Sequence, residues 1–297
     1  MQLKSWVAIA GIIVSSIVGV GSVDRVNAVT TVLYDGASGV TPNLFNAPNP
    51  YLNFISLGSG ASQSAGGGVT TLNTNTSEFT YAGYTNYNNN LTGFTTIVNP
   101  QFPTLDRNTG YTLSFTVKVN SQTNNGTNGD FRAGFSALVL GNDNRGIEIG
   151  FRNPNTKDGS NIPDIFAQND ASFNSIVERN TTIGTLLSSL NTYDLTVFGD
   201  TYTLKNGSNT LLAGALRNYT AAVGVGNSYT NPNFIFLGDN TTSAGASVDI
   251  SRIAITTNTT NVPEPSNLIG IGLAIGFGIK LKARLSKSNR EFTKLLK

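Results

Sequence analysis

Strict alternation of apolar and polar residues is the sequence feature that most limits how this chain can fold. From Tyr111 to Val119 every second residue is apolar, and Thr, Ser or Lys stands between them. The same period of two recurs in the runs 131–139, 147–151 and 193–197. Because successive side chains of a strand point to opposite faces, this period predicts strands with one buried and one solvated face.

Turn residues separate these runs. The segment 205–208 (KNGS) predicts a hairpin, and the segment 141–144 (GNDN) joins two alternating runs in the same way. Between Ile250 and Ile253 the apolar period changes register, which indicates a bulge in a last strand. Helical spacing is limited to one short candidate, 183–190. Many strands without crossover helices predict an all-β fold, an antiparallel β-sandwich.

The segment from residue 51 to residue 100 has a weaker pattern. It is rich in Gly, Ser, Asn and Thr and includes the run Asn88-Asn89-Asn90. Such residues favour turns and strands at a sheet edge over strands in the buried core. We therefore expect long loops and edge strands there.

Composition removes several classes of chemistry. The chain of 297 residues has no Cys and no His, which excludes thiol nucleophiles, histidine bases and metal sites built from either residue. The segment 29–262 carries 10 basic and 14 acidic residues, whereas 263–297 carries 7 basic and 2 acidic. Since the basic charge belongs to the C-terminal tail, nucleic acid is not an expected partner of the body.

The first 28 residues have the order of a secretory signal peptide. Lys4 precedes an apolar run over 6–20, and Val26-Asn27-Ala28 offers small residues before a cleavage point. The run is shorter than the roughly 20 residues that a spanning helix needs. We expect cleavage after Ala28, with a retained N-terminal membrane helix as the alternative.

Three features follow one another at the C-terminus: a Pro-Glu-Pro motif, a short apolar run and a basic cluster. The motif comprises Val262, Pro263, Glu264 and Pro265. The apolar run covers 268–279, and the basic cluster comprises Lys280, Lys282 and Arg284. As a helix, the apolar run would be about 18 Å long, against about 30 Å for the hydrocarbon core of a bilayer. The run is therefore short for a permanent anchor.

This order resembles the PEP-CTERM sorting signal of bacterial exported proteins, and the resemblance covers about the last 35 residues. The resemblance implies processing by an exosortase-type protease and display at the cell surface or release from it. It also implies a host that makes extracellular polysaccharide. Before processing, the C-terminal helix would hold the chain in the membrane; the alternative is an ordinary tail anchor.

A second resemblance covers most of the body. The runs 111–115, 132–136 and 146–151 are similar to consecutive strands of concanavalin A-like jelly rolls of the laminin-G type. The runs 202–204, 216–219 and 236–240 resemble choice-of-anchor bacterial domains of type Y. The resemblance implies a jelly-roll-like β-sandwich at the cell surface and no particular reaction.

Together these features divide the chain into four segments. They are a signal peptide (1–28), a β-sandwich domain (29–256), a spacer (257–262) and the sorting signal (263–297).

Related jelly rolls include glycoside hydrolases, which need two carboxylates at one site. Glu148 lies between Ile147 and Ile149, which are expected to face the core, so Glu148 is expected to point to solvent. Gly146 and Gly150 share its face and leave it without a second carboxylate. We therefore predict no catalytic residue.

Candidate ligand contacts come from a few side chains. Tyr81, Tyr84 and Tyr87 are the candidates for a sugar contact, and packing over a sheet edge is the alternative. The segments 142–144 and 239–242 could supply oxygen ligands to Ca²⁺, although Asx turns explain the same residues. No other metal and no cofactor is predicted.

The arginines of the body are expected to form structural ion pairs. The candidates are Arg132, Arg152 and Arg217, with Asp130, Glu148 or Asp200 as partners. The sequence as a whole predicts an exported, non-catalytic surface or matrix protein that associates with extracellular polysaccharide. The alternatives are a carbohydrate-active enzyme on the same fold and a purely structural or adhesive coat protein.

Overall fold

The computed structural model describes residues 26–58, 60–75, 80–90, 93–124, 132–153, 163–170, 176–222 and 225–260. Contacts divide the chain into one unit, Asn27–Thr259, and a second that comprises Met1–Val26 and Thr260–Lys297. The apolar run 268–279 and all of the predicted sorting residues lie outside the described residues: Val262, Pro263, Glu264, Pro265, Lys280, Lys282 and Arg284. Within the described ranges, no helix is both long enough and apolar enough to cross a membrane.

The described residues form strands joined by turns. The strands of the first half are β1 (Val26–Asp35), β2 (Asn53–Leu57), β3 (Ser62–Gly66), β4 (Val69–Asn73), β5 (Tyr81–Thr85), β6 (Tyr87–Asn90), β7 (Gly93–Ile97), β8 (Tyr111–Asn124) and β9 (Ser136–Leu140). Those of the second half are β10 (Arg145–Arg152), β11 (Asp164–Gln168), β12 (Ile176–Asn180), β13 (Asn191–Phe198), β14 (Thr201–Asn206), β15 (Asn209–Ala215), β16 (Arg217–Asn218), β17 (Phe234–Asp239) and β18 (Ala244–Thr260). Short 3₁₀ turns occupy Gly36–Ser38, Leu186–Ser188, Tyr219–Ala221 and Val225–Thr230.

Two sheets carry almost all of these strands. Sheet A has the order β15-β14-β13-β8-β18-β4-β3, and β1 also pairs with β18. Sheet B has the order β12-β11-β10-β9-β17-β5-β2, and β16 pairs with β10. Neighbouring strands along both paths are antiparallel. The all-β, jelly-roll-like sandwich expected from the sequence is therefore confirmed.

The core between the sheets follows the alternating pattern. The apolar positions of β8, from Tyr111 to Val119, are at most 1 % exposed. Phe115 of sheet A meets Phe151 of sheet B edge to face, with ring centroids 5.6 Å apart. Tyr193 of β13 lies 5.0 Å from the ring of Phe151. Aromatic contacts of this geometry add stability beyond the area they bury, so they help to hold the two sheets in register.

The predicted turns are found where local sequence requires them. The hairpin at 205–208 joins β14 to β15, and Gly207 supplies its positive φ of 57°. The segment 141–144 joins β9 to β10, with Asn144 at a φ of 63°. The register of β18 against β8 shifts between Ile250 and Arg252. The expected bulge in the last strand is confirmed.

Two local expectations, for 183–190 and for 51–100, differ from the structure. Residues 183–190 contain only the 3₁₀ turn Leu186–Ser188, because Gly184, at a φ of 53°, and the extended Ser189 lie outside the helical region of the backbone. The segment 51–100 forms six strands, β2 to β7, which include the edge strands β2 and β3. Strand β18 continues to Thr260, so it includes most of the stretch assigned to a spacer. Ala28, the predicted cleavage residue, is exposed within β1.

The outer face of sheet B, which is the face turned away from sheet A, carries a second apolar cluster. Its buried members are Ile55, Tyr87, Leu138, Leu140, Tyr219, Tyr229, Phe234 and Phe236. The β6–β7 hairpin contributes to the cover, since the Phe94 ring lies 5.1 Å from that of Phe234. The two 3₁₀ turns at Tyr219–Ala221 and Val225–Thr230 contribute Tyr219 and Tyr229 to this cluster. Sheet B is thus covered on both faces in this region, whereas the outward-facing side chains of β13 in sheet A are exposed or half-buried.

Candidate functional site

Glu148 of β10 lies on the covered outer face of sheet B. It points away from Ile147 and Ile149, as the alternation predicts, but the expectation that it points to solvent is wrong. Its exposed fraction is only 2 %. The physical reason is non-local: Tyr229, from a turn far along the chain, lies over this part of the sheet. Alternation along one strand cannot reveal a layer that another segment adds.

Three side chains surround the Glu148 carboxylate and form what we call the Glu148 cluster: Arg132, Tyr229 and Asn240. The Tyr229 hydroxyl donates to Oε2 at 2.5 Å. Asn240 Nδ2 donates to the Tyr229 hydroxyl at 2.8 Å and lies 3.5 Å from Oε1. Arg132 Nη2 lies 3.7 Å from Oε1 and also donates to the main-chain oxygen of Asn240. The buried negative charge therefore has an arginine and hydrogen-bond donors beside it, as a buried charge requires.

Tyr219 holds the same part of β10 through its hydroxyl. This hydroxyl donates to the main-chain oxygen of Gln168 at 2.7 Å and accepts from the Glu148 amide at 3.2 Å. Its ring lies 5.3 Å from that of Tyr229. The two tyrosines therefore link β10, β11 and the turn above them.

Burial keeps both tyrosines of this region protonated. Burial raises the pKa of Tyr219 and of Tyr229 well above the ordinary tyrosine value, and the negative charge of Glu148 raises both further. Burial is the largest effect on the pKa of Arg132 and would lower it, but Glu148, Tyr229 and Asp239 together outweigh burial, so the net pKa is raised. At neutral pH the cluster therefore presents a charged arginine and a tyrosine that donates.

A small pocket opens beside the cluster and is called the outer pocket here. It is lined by Ile55, Tyr81, Phe94, Ser228, Phe236 and Asn240. Its walls are mainly apolar, and its enclosed part holds about one water-sized molecule. Phe236 can form one wall because Gly83 has no side chain: a Cβ there would lie 2.6 Å from Phe236 Cζ. Asn240 belongs both to this pocket and to the Glu148 cluster.

Ser228 brings a polar group to the outer pocket. The residue is 4 % exposed. Its Oγ has no hydrogen-bond partner among the described parts of the chain. Because buried hydroxyls are nearly always hydrogen-bonded, this one has an unused capacity to donate and accept.

A second charged group lies at the β11–β12 side of the same face. Arg152 donates to both oxygens of Asp164, from Nε at 2.8 Å and from Nη2 at 2.7 Å. Arg179 donates to Asp164 Oδ2 as well. Asp164 and Arg152 are 0 % and 1 % exposed, whereas Arg179 is 31 % exposed. The Arg152 guanidinium also lies 5.6 Å from the centroid of the Phe166 ring.

The ion pairs expected for the arginines are found in part. Arg132 is paired with Glu148, as the sequence indicated. Arg152 instead pairs with Asp164, and Arg217 pairs with Glu178. Asp200 pairs with Arg107. Asp130 lies outside the described residues. Arg152 and Asp164 lie opposite each other on the paired strands β10 and β11. The Arg217–Glu178 and Arg107–Asp200 pairs join segments that are 39 and 93 residues apart, so proximity along the chain did not identify them.

The structure separates the three tyrosines proposed for a sugar contact. Tyr81 is half-buried and lines the outer pocket. Tyr84 is fully buried between the sheets, where its hydroxyl donates to Gln63 Oε1 at 2.8 Å. Tyr87 is 7 % exposed and packs against Phe234. Of the three, Tyr81 is the one that borders open space.

The two segments considered for Ca²⁺ bind their own backbone. Asp143 accepts from the Arg145 amide at 3.1 Å and from Arg107 Nε at 2.6 Å. Asp239 accepts from the Thr241 amide at 3.1 Å. The contacts with the Arg145 and Thr241 amides are those of Asx turns. Within the described ranges, no group of three or more acidic, His or Cys residues could hold a metal ion.

The sequence did not identify several residues of the site, although one apolar run indicated that the outer face of sheet B is covered. Strand β17 begins Phe234-Ile235-Phe236-Leu237, a continuous apolar run typical of a strand that is buried on both faces. That run indicates a second layer over sheet B. Nothing local identifies Tyr229, Ser228 or Asn240 as the residues that meet there.

The sheet order and the two-layer core define the class of this protein as an all-β, antiparallel, jelly-roll-like β-sandwich. No protein-family model and no curated protein matches the chain. Solved structures with a similar fold do exist, and their likeness to this chain concerns the fold alone.

One similar structure is the exoplasmic/lumenal domain of VIP36 in its Ca²⁺/Man3GlcNAc-bound form, at 12% identity over 77% of this chain and 91% of that chain, with a TM-score of 0.43. Another is the CBM2 module of the evolved Dit of Lactobacillus casei BL23 phage J-1, at 9% identity over 77% and 96%, with a TM-score of 0.43. A third is a carbohydrate esterase of bacteriophage phi24B, at 12% identity over 69% and 90%, with a TM-score of 0.42.

Proposed function

We propose that this chain is a non-catalytic carbohydrate-binding protein and that sugars bind at the outer pocket. The observation that carries this proposal is the arrangement of aromatic and aliphatic walls beside two polar side chains, Ser228 and Asn240. Sugar rings present apolar C–H faces and hydroxyl edges, so they need both kinds of surface. Pockets that bind small molecules typically combine mainly apolar walls with a few placed polar groups.

The Glu148 cluster prepares Asn240 for binding. Tyr229 and Glu148 fix the orientation of the Asn240 amide nitrogen, and Arg132 holds its main-chain oxygen. An amide that is already oriented loses less entropy when it binds a ligand than a mobile one. The ring of Tyr81 would lie against the apolar face of the sugar.

Glu148 is assigned a positioning role instead of a catalytic one. Its carboxylate is 97 % covered and is already engaged by Tyr229, Asn240 and Arg132. A glycosidase acid or base must reach the scissile bond directly. We expect Glu148→Gln to weaken sugar binding through Asn240. If the wild-type chain hydrolyses a β-glucan and Glu148→Gln abolishes that activity, the enzyme alternative is favoured.

We further propose that the protein is exported and sorted to the bacterial cell envelope or surface. The support is the sequence order described above: a signal peptide that ends at Ala28, then Pro263-Glu264-Pro265, an apolar run and a basic cluster. An exosortase-type protease would be the processing partner. The outer pocket would then contact extracellular polysaccharide around the cell.

A glycan array probed with the full-length chain tests sugar binding, with Tyr81→Ala as the site variant and Phe198→Ala as the control. Phe198 is an aromatic residue of β13 in sheet A, 62 % exposed. We expect Tyr81→Ala to weaken binding about tenfold, or about 1.4 kcal/mol, and Phe198→Ala to leave it unchanged. Binding is expected to survive a calcium chelator, because Asp143 and Asp239 already bond protein donors. Absence of binding to every glycan would favour a structural coat role.

A further inference from the structure

The size and lining of the outer pocket restrict which part of a sugar can enter it. The enclosed space holds about one water-sized molecule, so a whole pyranose ring does not fit inside. A single substituent of the ring could enter while the ring itself stays at the mouth beside Tyr81. The deepest walls include Ile55 and Phe236, which are 5 % and 4 % exposed.

We propose that the outer pocket recognises the acetamido group of N-acetylated sugars. The inference rests on the carbohydrate-binding function proposed above and names the substituent that the same site selects. Only the methyl of the group matches the enclosed space in size, and it would contact Ile55 and Phe236 there. The carbonyl and the N–H would lie behind the methyl, toward the mouth, where the carbonyl oxygen would accept a hydrogen bond from Ser228 Oγ.

The pocket chemistry favours this group over a hydroxyl. A hydroxyl could bond Ser228 Oγ, but it would otherwise face the apolar side chains of Ile55, Phe94 and Phe236 and gain nothing from that contact. A methyl gains from the same contact because its apolar surface leaves water. Ser228 Oγ has no partner among the described residues, and an entering carbonyl would satisfy it.

Asn240 completes the match. Its Nδ2 is engaged by the Tyr229 hydroxyl, so its carboxamide oxygen is the atom suited to accept from the ligand. An acetamido group carries one N–H donor and one carbonyl acceptor in a fixed planar arrangement. The Ser228 donor and the Asn240 acceptor provide one group for each.

The test compares two oligosaccharide series with the same β-1,4-linked backbone: chito-oligosaccharides, which carry an acetamido group at C2, and cello-oligosaccharides, which carry a hydroxyl there. Calorimetry with the full-length chain is expected to give affinity at least about tenfold higher for the chito series, the discrimination typical of a buried methyl. Ser228→Ala is expected to reduce that preference about threefold to tenfold, the range of one hydrogen bond. Ser56→Ala is the control, because Ser56 is exposed and lies next to Ile55 on the opposite face of β2.

The outcomes distinguish this inference from the broader proposal. Equal affinity for the two series, or a preference for the cello series, overturns acetamido recognition and leaves sugar binding intact. Failure of the chito series while another glycan binds overturns it as well. Absence of binding to any glycan on the array removes both proposals. A preference that persists unchanged in Ser228→Ala, with folding verified by circular dichroism, overturns the role of Ser228.

Discussion

Substitution of Asp164 by Asn tests how much the buried Asp164 carboxylate on the outer face of sheet B contributes to stability. The carboxylate is fully buried and accepts from both Arg152 and Arg179. Asparagine keeps the shape but has one acceptor oxygen instead of two, and its amide N–H groups face the guanidinium donors. Arg152, at 1 % exposure, would then lose the carboxylate that accepts from two of its nitrogens.

The expected loss is about 3–5 kcal/mol in the free energy of unfolding, the range for breaking a buried ion pair by removal of one partner. Asp200→Asn is the matched control. Asp200 also pairs with an arginine, but its side chain is 75 % exposed. The control is expected to lose at most about 1 kcal/mol, because water screens exposed pairs.

Urea unfolding of the full-length chain, followed by far-ultraviolet circular dichroism, measures both values. Tryptophan fluorescence is unsuitable, since the single tryptophan is Trp6, outside the described sandwich. The double variant Arg152→Met/Asp164→Leu isolates the cause. It replaces both charges by apolar side chains, and Arg179, which is 31 % exposed, can turn toward water.

We expect the double variant to recover most of the stability that Asp164→Asn loses, because buried ion pairs replaced by apolar residues are often neutral. A loss below about 1 kcal/mol in Asp164→Asn, no larger than the loss expected for the surface pair, would refute the claim that the Asp164 charge contributes strongly to stability. If the double variant is as unstable as Asp164→Asn, the loss of stability comes from altered packing and not from the charge.

Three further predictions concern pH, packing and processing. Burial raises the pKa of Asp239 well above the ordinary aspartate value. Its contribution to stability is therefore complete below about pH 4 and is lost as the pH rises toward the raised pKa. Asp239→Asn stays neutral, so in urea titrations its stability relative to wild type should increase from about pH 4 to about pH 8. A stability difference between the two chains that does not change with pH would contradict this prediction. Gly83→Ala would place a Cβ 2.6 Å from both Leu237 O and Phe236 Cζ. It should cost about 1–3 kcal/mol by overpacking and lower sugar affinity, whereas Gly66→Ala, with open space around its Cβ, should do neither. Replacement of Pro263-Glu264-Pro265 by alanines in the native host should leave a full-length, membrane-bound chain on immunoblots, and normal processing of that variant would refute the sorting assignment.

Local sequence was sufficient to predict the strands that carry the main core. The alternation in β8 and β10, the KNGS turn and the register change in β18 each depend on residues within a few positions of one another. Such features follow from strand geometry and turn chemistry, which act over short stretches of chain. The candidate site was only partly predicted. Tyr81 was identified, but the alternation rule gave Glu148 the wrong environment.

By itself the sequence determined the fold class, the side of β10 from which Glu148 projects, and the absence of thiol and imidazole chemistry. Only the tertiary structure decided what meets Glu148. Arg132, Tyr229 and Asn240 come from three separate segments, and the turn that carries Tyr229 covers a face that alternation alone would leave wet. The physical reason is that periodicity reports which residues share a face, whereas burial of that face depends on contacts between segments that are distant in the chain.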